Sequence, residues 1–125
     1  MKNGLRIGDQ SSVTFVVDEG MVASFEGRVV HRVLSTFHLV YYSELAARKL
    51  IEPFLDEGEE AAGIEICLKH IAPTEVGDRV EMTARLKKID GREIVCSISG
   101  VNSAGKICDG KQIQKLIRKG ALARQ

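Results

Sequence analysis

The hydrophobic pattern changes from helical spacing in the first half of the chain to strand-like alternation in the second half. Apolar and small residues recur at helical intervals in one stripe, formed by Leu39, Ser43, Ala46 and Leu50. Ser35 and Thr36 stand directly before this stripe, and both are acceptable helix N-caps. The pattern therefore predicts one long helix that starts near Phe37 and ends between Ile51 and Leu55.

Five segments have the composition or the alternation of β-strands. Ser12–Val17 is rich in β-branched residues and precedes the helix, whereas the other four segments follow it, over residues 62–68, 80–86, 94–101 and 106–117. Asp90-Gly91 predicts a tight hairpin of type I′, and Gly110 predicts a bulge in the last strand. Residues 21–35 have no regular period and predict at most a helical turn at Met21–Phe25.

This order of elements predicts an α+β fold in which one long helix packs against a five-stranded antiparallel sheet. The length of 125 residues fits a single domain over residues 1–125. The first and last elements of such a sheet leave open edges, which proteins commonly pair or cover. We therefore expect a homodimer, or a tetramer built from it.

Composition narrows the classes of function. Hydrophobic residues make up 44% of the chain and charged residues 28%, with a net charge of +1, so neither disorder nor binding to nucleic acid or an anionic membrane is expected. We see no signal peptide and no apolar run long enough to span a bilayer. Cys67, Cys96 and Cys108 are interpreted as reduced, buried thiols of a cytoplasmic protein.

Several stretches of the chain resemble the fluoroacetyl-CoA thioesterase-like group of the hotdog fold, in which a sheet wraps around a central helix. The stretches that carry this resemblance are Ser35-Thr36, Glu44-Leu45-Ala46, Pro53–Glu59, Gly63 and Cys67–His70, followed by Ala72 and Gly77. The resemblance implies that the chain is an acyl-CoA thioesterase whose catalytic residues are Thr36, Glu44 and His70. It also implies active sites at a dimer interface, and neither a metal nor a redox cofactor.

The resemblance has one departure that bears on the substrate. The fluoroacetyl-specific member places aromatic side chains before the threonine, where they gate the acyl pocket. Residues 28–34 of this chain read Arg-Val-Val-His-Arg-Val-Leu and contain no aromatic residue. We therefore expect another short or medium acyl group rather than fluoroacetyl.

Each candidate residue also has a simpler structural interpretation. Glu44 follows small and apolar residues, so we expect it to be partly buried. Partial burial raises the pKa of a carboxylate and suits a base or a nucleophile. Alternatively, Glu44 is a solvated partner of Arg48. His70, at a strand end, could transfer protons or be merely exposed. Thr36 could polarise the thioester or only cap the helix. Gly63 could let a ligand approach the backbone closely, or be a plain loop glycine.

Helix geometry separates two of the candidates. Thr36 and Glu44 are eight residues apart, which is roughly 12 Å along a continuous helix. Either the chain folds back near Thr36, or Thr36 of one subunit meets Glu44 of another. His31 and His38 lack comparable support and are interpreted as structural, and Arg32, Arg48 and Lys69 as solvated surface charges.

Three other functions are compatible with the same fold class. The first is a non-hydrolytic acyl-CoA-binding module, although no DNA-binding segment that would make it a regulator is visible. The second is a hotdog enoyl-CoA hydratase or dehydratase, whose Asp/His signature is not found in the sequence. The third is a purely structural dimer module.

Overall fold

The computed structural model describes residues 1–122 of the chain. Its elements are β1 (Gln10–Val16), a 3-10 turn (Glu19–Met21), β2 (Val22–Phe25), β3 (Arg28–Leu34), α1 (Thr36–Ile51), a second 3-10 turn (Glu52–Phe54), β4 (Glu59–His70), β5 (Arg79–Asp90), β6 (Glu93–Asn102) and β7 (Gly105–Arg118). The predicted long helix and the five predicted strands all occur. Most of these strands extend a few residues beyond the predicted limits.

The main sheet has the strand order β1-β5-β6-β7-β4, and every neighbouring pair is antiparallel. The predicted α+β arrangement of one helix on a five-stranded antiparallel sheet is confirmed. β1 and β4 form the two edges, so each has one side without a strand partner in this sheet. The edge strand β4 matters below, because it carries two of the candidate site residues.

The core lies between α1 and the concave face of the sheet. The predicted helical stripe is buried: Leu39, Ser43 and Ala46 are 0% exposed and Leu50 is 6% exposed. The strictest predicted alternation also holds, because the four apolar side chains at 80, 82, 84 and 86 of β5 are fully buried. The small side chains in the middle of the stripe let the helix approach the sheet closely.

A second, two-stranded sheet formed by β2 and β3 was not predicted. The two strands pair across the dipeptide Glu26-Gly27, whose φ angles of 52° and 78° are both positive, as in a type I′ turn. Seven of the eleven strand residues of this hairpin are exposed, and the two buried ones, Val22 and Leu34, form the pair farthest from the turn. A strand that buries neither face has no reason to alternate apolar and polar residues, so its sequence shows no period.

The two predicted irregularities also need correction. The hairpin between β5 and β6 exists, but its central residues are Gly91 and Arg92, and Gly91 has a positive φ of 61°, as in a type II′ turn. Gly110 is not a bulge, because it pairs in register with Leu68 and Ile98. The ladder instead shifts at Ile64 of β4 and at Ile107 of β7.

The three cysteines are free thiols in different environments. Cys96 and Cys108 are buried as predicted, and burial raises the pKa of each thiol to about 11. Cys67 is exposed on the edge strand β4, so the prediction of burial is wrong for this residue. Among residues 1–122, no helix is both long and apolar enough to cross a bilayer.

Replacing Gly110 with Ala should strongly destabilise the fold. A Cβ atom at this position would overlap the backbone carbonyl of Cys67 on the neighbouring strand, and a β-sheet backbone cannot move aside without breaking its ladder. We expect Gly110→Ala to lower the free energy of unfolding by about 2–3 kcal/mol in urea titrations. The control is Gly20→Ala, whose nearest contact is the flexible Asp18 carboxylate at 3.2 Å. Equal stability of the two variants would contradict this packing account.

Candidate active site

The start of α1 has two adjacent hydroxyl side chains with different partners. Ser35 is the N-cap, and its Oγ accepts a hydrogen bond from the His38 N–H at 3.1 Å. Thr36 Oγ1 instead lies 2.9 Å from His70 Nδ1 and shares a hydrogen bond with it. The interpretation of Thr36 as a simple helix cap is therefore wrong, because Ser35 caps the helix.

His70 is the last residue of β4 and is half-buried. The chain directly after it is fixed to β7 by a hydrogen bond of 2.7 Å from the Ile71 N–H to the Ile107 carbonyl. His70 Nε2 is buried and has no hydrogen-bond partner within residues 1–122. Burying an imidazole nitrogen without a hydrogen-bond partner costs free energy. We therefore expect this atom to bind a partner from outside the chain. His70 is therefore not the merely exposed strand-end residue of the simpler interpretation.

Two cavities meet at Thr36. One, of about 360 Å³, is an open groove lined by Thr36, His70 and residues 71–73. The other, of about 650 Å³, is more enclosed and lies between the β2–β3 hairpin and the first turn of α1. The Thr36–His70 pair thus stands at a point that a bound molecule can reach from two sides.

Glu44 projects from the middle of α1 toward β4. A Cβ atom placed on Gly63 would lie only 2.7 Å from Glu44 Oε1, so the carboxylate sits directly over the glycine. The prediction that Glu44 is partly buried is wrong within one chain, because its side chain is exposed. The alternative pairing with Arg48 is also wrong: Arg48 bonds to Glu52 at 3.1 Å and to Glu60.

Gly63 lies where the β4–β7 ladder is interrupted. Gly63 pairs with Gln114 and Glu65 pairs with Ile113, so Ile64 is the extra residue of a bulge. Bulges leave a residue outside the regular ladder and re-aim nearby groups. Gly63 is exposed at this bulge, and the group that approaches its backbone closely within the chain is the Glu44 carboxylate.

Sequence reasoning missed two buried glutamines beside this glycine. Gln112 and Gln114 of β7 are 1% and 3% exposed, and Gln112 Nε2 lies 3.2 Å from the position of a Cβ on Gly63. Gln112 Oε1 and Gln114 Nε2 have no hydrogen-bond partner in the described part of the chain. The sequence contained a signal for this burial, because Gln112 and Gln114 fall at alternate positions of the last strand, on the same face as Leu116, which is also buried.

The four candidates form two separate pairs within one chain. α1 is continuous from Thr36 to Ile51, so Glu44 lies about 12 Å from Thr36 along the axis. Gly63 and His70 are seven residues apart on β4, or roughly 20 Å. Thr36 with His70 forms one pair and Glu44 with Gly63 forms the other. The option that the chain folds back near Thr36 is wrong.

Known proteins resemble both the sequence and the fold of this chain. The model of the family described as Fluoroacetyl-CoA-specific thioesterase (FlK) matches residues 17–120. The fluoroacetyl-CoA thioesterase of Streptantibioticus cattleyicolor is 29% identical over 123 residues, which cover 94% of this chain and 88% of that enzyme.

Solved structures agree with this match. A Thermus thermophilus protein described as a thioesterase superfamily member has 32% identity and a TM-score of 0.93, over 97% of this chain and 90% of its own. A mutant of the fluoroacetyl-CoA-specific thioesterase in complex with fluoroacetate and CoA has 27% identity and a TM-score of 0.87, over 94% and 98%.

The sheet, its central helix and these matches together define a thioester hydrolase of the thioesterase superfamily with the hotdog fold, as predicted. Within that class, the chain belongs to the Fluoroacetyl-CoA-specific thioesterase family, FlK.

Replacing Gly63 with Ala should reduce thioester hydrolysis far more than stability. The added methyl group would displace the Glu44 carboxylate; if Glu44 is a reacting group, as predicted, a displacement of about 1 Å can lower the rate on the order of 100-fold. Because Gly63 is exposed and the displaced atoms end a flexible side chain, the melting temperature should change little. Thiol release from acyl-CoA gives kcat/KM, and Glu65→Ala on the same strand is the control. Normal turnover by Gly63→Ala would exclude a role for this contact.

Proposed function

We propose that this acyl-CoA thioesterase hydrolyses a short or medium acyl-CoA to the free acid and coenzyme A, at a site built from Thr36, Glu44, His70 and Gly63. The observation that carries the proposal is the hydrogen bond between Thr36 and His70 beside a groove, with His70 Nε2 buried and unpartnered within residues 1–122. An imidazole held in this way by a hydroxyl is suited to move a proton to or from a bound molecule.

The proposed site is completed by a second subunit. β4 is an edge strand, and an antiparallel pair of β4 strands related by a two-fold axis near Ile66 and Cys67 would place Gly63 of one subunit close to His70 of the other. Both Ile64 and Cys67 are exposed on this edge. Such a homodimer would bring Glu44 of one chain to the Thr36–His70 pair of its partner, at two equivalent sites.

The chemistry follows from the neighbours of each group. A thioester carbonyl held at the Gly63 bulge would lie beside Glu44, because the carboxylate sits over this glycine. Glu44 then attacks the carbonyl carbon to give an acyl-enzyme that water cleaves, or activates water for direct attack. In either route the C–S bond breaks, and His70 transfers a proton to the departing thiolate. Thr36 orients the His70 ring through Nδ1.

The basic side chains near the proposed site differ in whether they are already paired. Arg32 pairs with Glu19, and Arg48 with Glu52 and Glu60, which supports their interpretation as surface charges rather than phosphate ligands. Lys69, next to His70, makes no salt bridge within residues 1–122 and is the better candidate to meet a phosphate. The proposed reaction uses no metal or cofactor, and the proposed hotdog domain spans residues 1–125. We also propose a cytoplasmic location, which the three free thiols support.

Glu44→Ala should lower kcat/KM for acyl-CoA hydrolysis by at least about 100-fold, the range expected when a catalytic base or nucleophile is removed. The side chain is exposed within the chain, so unfolding should be nearly unchanged. A chromogenic thiol assay over acyl chains of increasing length measures the effect, and Glu57→Gln, an exposed carboxylate elsewhere, is the control. Near-normal turnover by Glu44→Ala would exclude this residue from the mechanism. If the wild type binds acyl-CoA but releases no thiol, the chain is better described as a non-hydrolytic acyl-CoA-binding module.

Mixing two inactive variants tests whether the site is shared between subunits. In a dimer of Glu44→Ala with His70→Ala, one site has both native residues and the other has neither. If half of the dimers in an equal mixture are mixed, about a quarter of wild-type activity should return. Native mass spectrometry confirms that mixed dimers form. Mixed dimers without recovered activity would contradict a site shared between subunits.

A further inference from the structure

The larger cavity at Thr36 is the better place for the acyl arm of the substrate. A thioester has two arms, and the coenzyme A arm must lead to solvent because its nucleotide is too large to enclose. The open groove of about 360 Å³ beside His70 suits that arm. The more enclosed cavity of about 650 Å³ under the β2–β3 hairpin suits the acyl arm, since ligand pockets bury most of a small group.

The walls of this cavity are not uniformly apolar. Val22, Phe25 and Phe37 provide apolar surface, but the imidazoles of His31 and His38 line the same cavity. A wholly hydrocarbon acyl chain gains nothing from the imidazoles, and it would separate their polar atoms from water at a cost in free energy. The mixed wall therefore points to an acyl group that carries a polar atom.

His38 is the imidazole with a fixed orientation. Its Nδ1 lies 2.7 Å from Ser35 Oγ, and its ring makes an edge contact with Phe37 at a centroid distance of 5.2 Å. Ser35 Oγ accepts a hydrogen bond from the His38 backbone N–H and keeps its own proton, which it can donate to Nδ1 at 2.7 Å. In the neutral ring the remaining proton is then on Nε2. His38 thus presents a hydrogen-bond donor that Ser35 and Phe37 hold in place.

The charge of the cavity selects among polar acyl groups. Glu26, in the turn of the hairpin, lines the same cavity and is exposed. A second carboxylate on the acyl chain would be repelled by Glu26, although water screens this repulsion because the side chain is exposed, whereas a neutral carbonyl or hydroxyl oxygen would not be repelled. We infer that the cavity under the β2–β3 hairpin binds an acyl chain bearing a neutral oxygen acceptor, to which His38 Nε2–H donates a hydrogen bond.

This inference rests on the proposed acyl-CoA hydrolysis, and the experiment separates the two. Acetoacetyl-CoA, butyryl-CoA and succinyl-CoA have the same number of acyl carbons and differ in carrying a neutral oxygen, no oxygen or a carboxylate. For the wild type we expect kcat/KM to be about tenfold higher for acetoacetyl-CoA than for butyryl-CoA, which is the contribution of one hydrogen bond. Succinyl-CoA should be the poorest of the three.

Three variants locate the donor. His38→Leu should abolish the preference for acetoacetyl-CoA over butyryl-CoA, and His38→Gln, which keeps an N–H donor, should restore most of it. Thermal unfolding of each variant shows that the fold is retained. Equal rates for acetoacetyl-CoA and butyryl-CoA in the wild type would overturn the inference, and so would loss of the preference in His31→Leu but not in His38→Leu. Absence of hydrolysis for every thioester would instead overturn the proposed function.

Discussion

The rigidity of α1 determines where the candidate catalytic groups lie. The helix runs without interruption from Thr36 to Ile51, and the small buried residues Ser43, Ala46 and Ala47 hold it close to the sheet. A hydrogen-bonded helix cannot be shortened, so the hydroxyl at its start and the carboxylate on its third turn keep a fixed separation. The cap at Ser35 is part of the same constraint, because it leaves the Thr36 hydroxyl available to His70. The division of the candidate residues into two separate pairs on one chain follows directly from these contacts.

The elements that bury one face could be predicted from the sequence, and those that bury neither could not. The alternation in β5 and the stripe in α1 arise because one face of each element packs in the same core. Their sequences therefore show the period of a strand and of a helix. The β2–β3 hairpin buries only Val22 and Leu34, and the turn Glu26-Gly27 lacks the usual Asn or Asp. The valines of residues 28–34 favour a strand, but without alternation they did not distinguish a strand from an irregular connection.

The candidate site was predictable only as a set of residue types. The positions of Thr36, Glu44, Gly63 and His70 came from a family resemblance, whereas their division into two pairs depends on helix length and strand register. The expected burial of Glu44 failed because small and apolar neighbours in the sequence do not fix the helix face of a side chain: Ser43 is buried, whereas Glu44, the next residue, is exposed. Gln112 and Gln114 were overlooked because inward polar residues were treated as ordinary members of an alternating strand.

The β2–β3 hairpin shapes the larger cavity but contributes little to the main sheet. The hairpin covers the cavity of about 650 Å³, yet it lies outside the five-stranded sheet, and Leu34 is the one residue of its two strands that belongs to the main core. Substitutions at the exposed positions of this hairpin can therefore reshape the cavity with little change in the free energy of unfolding. Homologues with this architecture can therefore diverge in substrate range while the scaffold beneath stays intact.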